Sequence, residues 1–99
     1  MKPRFELMPK AGLVRAALRF EEGLNKHGDK AWNNLSPNQS AMTDREWLIE
    51  RCSHAIQHYF TLIDKLAGKI PLDEGEDDAG AVAWAGIMLA AAMTELEKK

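Results

Sequence analysis

The sequence predicts an all-α fold, a small bundle of three main helices that forms a single domain over residues 1–99. Apolar residues recur at helical spacing in three segments, Gly or Pro separates these segments, and no pair of alternating runs indicates a β-hairpin. A chain of 99 residues is too short for separate catalytic and cofactor-binding lobes. Because so small a core buries little area, we expect oligomerisation, as a dimer or tetramer, to complete the bundle.

The first helix is predicted from about Pro9 to Lys26. Proline is tolerated in a first helical turn, and Gly28 provides a C-terminal stop. The apolar stripe of this helix comprises Leu13, Ala17, Phe20 and Leu24. The polar residues that follow, 29–42, predict a loop that carries one aromatic side chain, Trp32.

The second helix is predicted to begin at a capping box, Thr43 with Glu46, and to run to about Ala67, where Gly68 stops it. Its apolar residues occupy one broad arc on a helical wheel. The arc comprises Leu48, Cys52, Ala55, Ile56, Tyr59, Phe60, Ile63 and Leu66. Because Cys52 belongs to the arc, the pattern predicts a buried, inert thiol.

The third helix is predicted from about Asp77 to Glu97, after an acidic run over residues 73–78. Acidic residues suit the positive end of the helix that follows them. This segment is apolar nearly all round, which is typical of a helix buried on several sides. Since only two other long helices are predicted, we expect a second subunit to cover part of it.

Charge and cysteine usage narrow the functional classes. The formal net charge of −2 argues against a partner held by bulk charge, whether nucleic acid or an anionic membrane. One cysteine permits no internal disulfide, and the N-terminal residues lack the apolar run of a signal peptide. The uncharged run from Ala79 to Met93 is shorter than the roughly 20 residues that span a bilayer. We therefore expect a soluble, cytoplasmic protein.

Carboxylates give the first chemical indication. Glu50 lies on the polar side of the second helix, and Asp77 and Asp78 open the third. Mg²⁺ and Mn²⁺ prefer oxygen ligands, so carboxylates from two helices could hold such an ion beside a polyphosphate. Alternatively, the two aspartates could simply complement the helix terminus. His54 and His58 lie four residues apart, a spacing that suits two metal ligands or two ordinary surface histidines.

Three stretches together resemble a known family. Residues 20–33 (FEEGLNKHGDKAWN) are similar to a G-x-x-K-Y-G-x-x-N-W segment. Residues 50–55 (ERCSHA) occupy the place of a histidine-bearing helix, and residues 73–84 (DEGEDDAGAVAW) resemble an E-D-H-L-A-A-V-x-W-N helix start. These features are those of phage-encoded dATP/dGTP diphosphohydrolase-like proteins, which belong to the all-α MazG-like nucleotide pyrophosphohydrolases.

The resemblance implies hydrolysis of a purine (deoxy)nucleoside triphosphate to the monophosphate and pyrophosphate, with Mg²⁺ or Mn²⁺ as cofactor. It assigns Glu50, Asp77 and Asp78 as metal ligands, and Glu50 and His54 as catalytic groups. The nucleotide would be bound by Lys26, Trp32 and His58. Alternatively, Lys26 is an ordinary solvated lysine and Trp32 ties the loop to the core. A phage-encoded protein of this kind would act in the cytoplasm of a bacterial host.

The sequence departs from the family pattern at several ligand positions. Glu46 and Glu50 are four residues apart where the superfamily has Glu-x-x-Glu, and Asp78 stands where histidine is expected. A second possibility therefore stays open, a helical module that has lost its metal ligands and binds a nucleotide or a host protein without catalysis. Pyrophosphate release and Mn²⁺ uptake distinguish the two.

Overall fold

A computed structural model describes residues 2–27 and 44–98, and the side chains within 2–22 and 44–98. After a single 3-10 turn, Phe5–Leu7, three α-helices follow: α1, Lys10–His27; α2, Arg45–Leu66; and α3, Asp78–Glu97. No strand occurs among the described residues. The all-α prediction with three main helices is confirmed. The predicted loop over residues 29–42, and the stop at Gly28, lie outside the described residues.

The three helices form an open layer with α3 in the middle. Both α1 and α2 pack on α3, and among the described residues no comparable contact joins α1 to α2. The central position of α3 follows from its composition, because a helix that is apolar all round can present one side to each neighbour. A layer of this kind leaves broad faces of its outer helices uncovered by the other described helices.

Small residues let α1 approach α3 closely. Ala16 is buried, whereas Ala17, predicted to face the core, is exposed. A Cβ added at Gly80 would lie 3.3 Å from the backbone oxygen of Arg15 and 2.5 Å from Oδ2 of Asp77. The prediction for the apolar stripe of α1 was therefore wrong by one position at Ala17, because α1 buries Ala16 and its backbone approaches Gly80 of α3 at Arg15. Phe20 of this helix packs on Trp84, with ring centroids 5.8 Å apart.

Local signals set both ends of α2. The N-cap residue is Asp44, whose carboxylate accepts hydrogen bonds from the backbone N–H groups of Glu46 and Trp47. The predicted capping box at Thr43 is thus corrected by one residue, and Thr43 itself lies outside the described residues. At the other end Gly68 has a φ of 81°, the left-handed conformation in which a helix commonly ends. The predicted stop is confirmed.

The buried apolar core of the described residues is small and lies between α2 and α3. Met88 and Ala92 are fully buried, and Leu48 is nearly so. Four partly buried side chains pack against this cluster: Trp47, Trp84, Leu89 and Leu96. Alanine supplies most of the other buried apolar positions, so the core contains few large side chains.

Most of the predicted apolar arc of α2 faces away from this core. Leu48 is its one buried member, while five large members are more than half exposed: Ile56, Tyr59, Phe60, Ile63 and Leu66. Cys52 is exposed as well. The prediction of a buried thiol was therefore wrong, because the helix turns only the edge of its arc towards α3.

Within the part of the chain that the structure describes, α3 alone is long and apolar enough to cross a membrane, with a mean hydropathy of 1.5. Core helices of soluble proteins pass the same test of length and composition. Here α3 packs on a helix at each side, and its first residue, Asp78, forms ion pairs with α2.

Candidate functional site

The turn between α2 and α3 is held by a buried lysine near the end of α2. The Nζ of Lys65 donates a hydrogen bond to the backbone oxygen of Glu76 at 3.1 Å. It donates a second to Oδ2 of Asp78 at 2.6 Å. Only 4% of the Lys65 side chain and 5% of the Asp78 side chain are exposed. Because a charge removed from water must be matched by a partner, this ion pair fixes where α3 begins relative to α2.

Asp78 also contacts a histidine on the same side of α2. Its Oδ1 lies 2.8 Å from Nδ1 of His58. An ionised carboxylate only accepts hydrogen bonds, so Nδ1 carries the proton of this contact. The other ring nitrogen, Nε2, lies 3.5 Å from Oε1 of Glu76. The imidazole of His58 therefore stands between two carboxylate oxygens from the acidic turn.

Carboxylate oxygens of Asp77 and Glu76 face arginines of α1. Arg15 binds Asp77 through two hydrogen bonds, from Nε at 3.1 Å and from NH2 at 2.6 Å. Arg19 donates from NH2 to Oε2 of Glu76 at 3.3 Å. Asp77 is also the N-cap of α3, since its Oδ1 accepts from the backbone N–H of Gly80. Three carboxylates thus face three permanent cations, and the turn is bound to both outer helices.

These contacts lower the pKa values of two aspartates. Burial by itself would raise the pKa of Asp78, but hydrogen bonds from His58 and Lys65 outweigh it and leave the pKa below its ordinary value. For Asp77 the hydrogen bonds from Arg15 are the main cause of the lowered pKa. Both carboxylates are therefore ionised at neutral pH and more acidic than in the unfolded chain.

We expect the protein to lose stability in acid through these two groups. A pKa lowered in the folded state means that the unfolded chain binds more protons in acid, so the stabilising contribution is complete above about pH 5 and is lost progressively as the pH falls below it. Asp78→Asn should flatten the fall in unfolding free energy between about pH 5 and pH 2. Urea titrations across this range measure it, with Asp73→Asn, an exposed residue of the same turn, as control. Identical pH slopes for the two variants would contradict the role given to Asp78.

The structure brings only some of the predicted site residues together. His58 and Asp78 are in contact, while Asp77 turns to Arg15 and fulfils the alternative helix-terminus role. Glu50 is exposed and lies eight residues before His58 on α2, a rise of about 12 Å. The three predicted metal ligands are therefore not gathered at one point within this chain.

The other predicted residues add little to this centre. His54 is exposed on α2, one turn before His58. Lys26 lies in the last turn of α1, where the structure describes the backbone alone, and Trp32 lies outside the described residues. Their assigned roles in catalysis and nucleotide binding stay predictions.

Within residues 2–22 and 44–98, one group of side chains has the composition of a metal site. It comprises His58, Glu76 and Asp78, each of which offers one ligand atom within 4.8 Å of the others. Sequence reasoning missed Glu76, and it missed Lys65 beside it. The signal was available in the spacing of Arg51, His58 and Lys65, which recur every seven residues and so share one side of α2.

Comparison with protein-family models, with curated proteins and with solved structures found no match to this chain.

Proposed function

We propose that the chain binds a purine nucleoside triphosphate together with Mg²⁺ or Mn²⁺ and hydrolyses it to the monophosphate and pyrophosphate. The observation that carries the proposal is the group formed by His58, Glu76 and Asp78, whose ligand atoms converge within 4.8 Å. The similarity of three stretches of the sequence to MazG-like pyrophosphohydrolases supplies the reaction. The proposed site lies at the start of α3 and not at Glu50.

The donor atoms of this group suit a divalent cation. Mn²⁺ accepts two carboxylates and one imidazole as ligands, whereas Mg²⁺ prefers two carboxylates together with water molecules. Asp78 Oδ1 and Glu76 Oε1 both face the ring of His58, so an ion bound among them would take the place of the proton that lies between Nδ1 and Asp78. A bound ion would supply charge neutralisation for the phosphates and an activated water.

The cations around the group also suit a polyphosphate. Arg15 and Arg19 lie beside the turn, and more than half of the Arg15 side chain is exposed. A guanidinium in this position could exchange a carboxylate partner for a phosphate oxygen, since both are bound in the same bidentate geometry. Lys65 is too deeply buried to leave Asp78, so it orients that carboxylate.

Pyrophosphate release tests the proposal directly. The protein is mixed with Mn²⁺ and each purine nucleotide, and we expect release that Glu76→Gln reduces by about tenfold or more. Asp73→Asn, in the same turn but outside the group, is the matched control and should retain activity. Calorimetric titration with Mn²⁺ alone should show uptake by the control and a loss of uptake by Glu76→Gln. No release from any purine nucleotide by the folded protein would overturn the proposal.

A second candidate function, a helical binding module without catalysis, is favoured by a different observation. The last three carboxylates of the acidic run are each already paired with a cation: Asp77 with Arg15, Glu76 with Arg19 and Asp78 with Lys65. Such a compensated network can serve as a structural clamp with no ion bound. Failure of Mn²⁺ to bind, together with nucleotide binding that does not depend on metal, would support this module.

A further inference from the structure

We propose that two copies of this chain associate through the outer side of α2, with the two α2 helices antiparallel. The contact surface, here called the α2 seam, is defined by residues at alternating spacings of three and four. It comprises Ile49, Cys52, Ile56, Tyr59, Ile63 and Leu66. Spacing of this kind is the heptad pattern with which two helices pack side by side.

The seam is apolar and open to solvent. Cys52 is exposed, and the other five side chains are between 52% and 75% exposed. Phe60 lies on the border of the seam and is 64% exposed. A continuous apolar surface of this length on a small chain is typical of a contact surface and not of a solvated helix.

The area offered is of the order that a contact between two copies needs. The five large side chains of the seam, 52% to 75% exposed, present an apolar patch on the order of several hundred Å². A standard interface buries about 800 Å² on each partner. The open layer supplies a second reason for association, because among the described residues Met88 is the one large side chain that is completely buried. So small a core is weak without further burial.

Charge does not oppose the association of two copies. The positions that flank the seam on its two sides are uncharged, and they comprise Ser53, Ala55, Phe60, Leu62 and Ala67. Two like surfaces can therefore meet without placing equal charges opposite each other. Most charged residues of α2 lie away from the seam, as Glu50 does, or point towards α3, as Lys65 does. Arg45 continues the line of the seam at the first residue of the helix, and in an antiparallel pair the two copies of Arg45 lie at opposite ends of the contact.

Side-chain size favours the antiparallel direction. In a parallel pair Cys52 would face the Cys52 of the partner, and this layer would be underfilled. Tyr59 would likewise face the Tyr59 of the partner, and that layer would be crowded. In an antiparallel pair Cys52 faces the partner's Ile63, and Ile56 faces the partner's Tyr59. In these two layers a smaller side chain meets a larger one, the remaining layer pairs Ile49 with Leu66, and the helix dipoles oppose each other. The proposal concerns assembly and does not depend on the proposed catalytic function.

Oligomeric state tests the first half of the proposal. Sedimentation equilibrium should give twice the 11.1 kDa of one chain, and the melting temperature should rise with protein concentration. Ile56→Asp should shift the protein to the monomer, or to an unfolded chain if the monomer does not persist. Gln57→Asp, the exposed neighbour outside the seam, is the matched control and should remain dimeric. A monomeric wild-type protein, or a dimer that Ile56→Asp leaves intact, would overturn the proposal.

Oxidative cross-linking tests the direction. The single native cysteine, Cys52, should form no disulfide-linked dimer in an antiparallel pair, because the two thiols are separated by about 16 Å along the helix. Ile63→Cys places a thiol opposite the partner's Cys52, so this variant should cross-link rapidly under mild oxidant. Rapid cross-linking of the wild-type protein would show a parallel pair and contradict the proposal. A monomer whose Cys52 resists alkylation would point to a cover from residues 28–43 and would contradict it too.

Discussion

Replacement of Lys65 by methionine is expected to lower the free energy of unfolding by about 3–5 kcal/mol. Methionine keeps much of the length of the apolar stem but removes the ammonium group that donates to Asp78 at 2.6 Å and to the Glu76 backbone at 3.1 Å. The Asp78 carboxylate would then be buried with His58 as its remaining side-chain partner. Urea denaturation followed by circular dichroism at pH 7 measures the loss.

Two further variants distinguish the effect of breaking the ion pair from the effect of removing any lysine. Lys69→Met removes the same group from an exposed position in the following turn and should change stability by less than about 0.5 kcal/mol. The double variant Lys65→Met with Asp78→Asn removes both charges, so it should recover a large part of the loss. A coupling energy of at least about 1 kcal/mol is expected between the two positions. If Lys65→Met proved as mild as Lys69→Met, the buried pair would not hold α3 in place.

The helices themselves could be predicted because their signals are local. The stop at Gly68 follows from its freedom to adopt a φ of 81°, which a helix end needs and other residues resist. The start of α3 follows from Asp77, a residue that caps the helix in the predicted place. Periodicity fixes the type of each element and its ends to within a residue or two.

What lies against each helix could not be predicted in the same way. The periodicity of α2 identifies an apolar arc but contains no information on what covers it. Leu48 lies at the edge of the arc and is buried, while Ile56 and Ile63 lie near its middle and are exposed. In the same way Cys52 belongs to an apolar pattern and yet is open to solvent. The sequence thus predicted correctly which residues form the apolar face of α2, but it predicted wrongly that Cys52 on this face is buried.

The candidate site was predicted in part for a related reason. Asp78 could be chosen from its position at the start of α3, since acidic residues are common there. Its pairing with Lys65 joins residues thirteen positions apart in the chain, and that pairing depends on the path of the turn between them. No local rule sets this path. Glu50 was chosen for its place on the polar side of α2, but it lies eight residues before His58, a rise of about 12 Å that separates it from the turn.

Replacement of Met88 by alanine is the second change with a large expected effect, a loss of about 3 kcal/mol in the free energy of unfolding. Met88 is completely buried and packs with Leu48 and Ala92 between α2 and α3. Alanine would leave a cavity there. Larger side chains packed against the same cluster, such as Trp47 and Leu89, would keep α2 and α3 from closing over it. Urea denaturation at fixed protein concentration measures the loss.

Met93→Ala is the matched control for this prediction, because the same side chain on the same helix is 51% exposed. The control should cost less than about 1 kcal/mol, since little apolar surface leaves water at this position on folding. Met88→Leu keeps the volume and should cost less than about 1.5 kcal/mol. Together the three variants separate packing from helix propensity, because alanine favours helix formation at both positions. Equal losses at positions 88 and 93 would contradict the placement of α3 between the two outer helices, since in that arrangement only Met88 lies in the contact with α2.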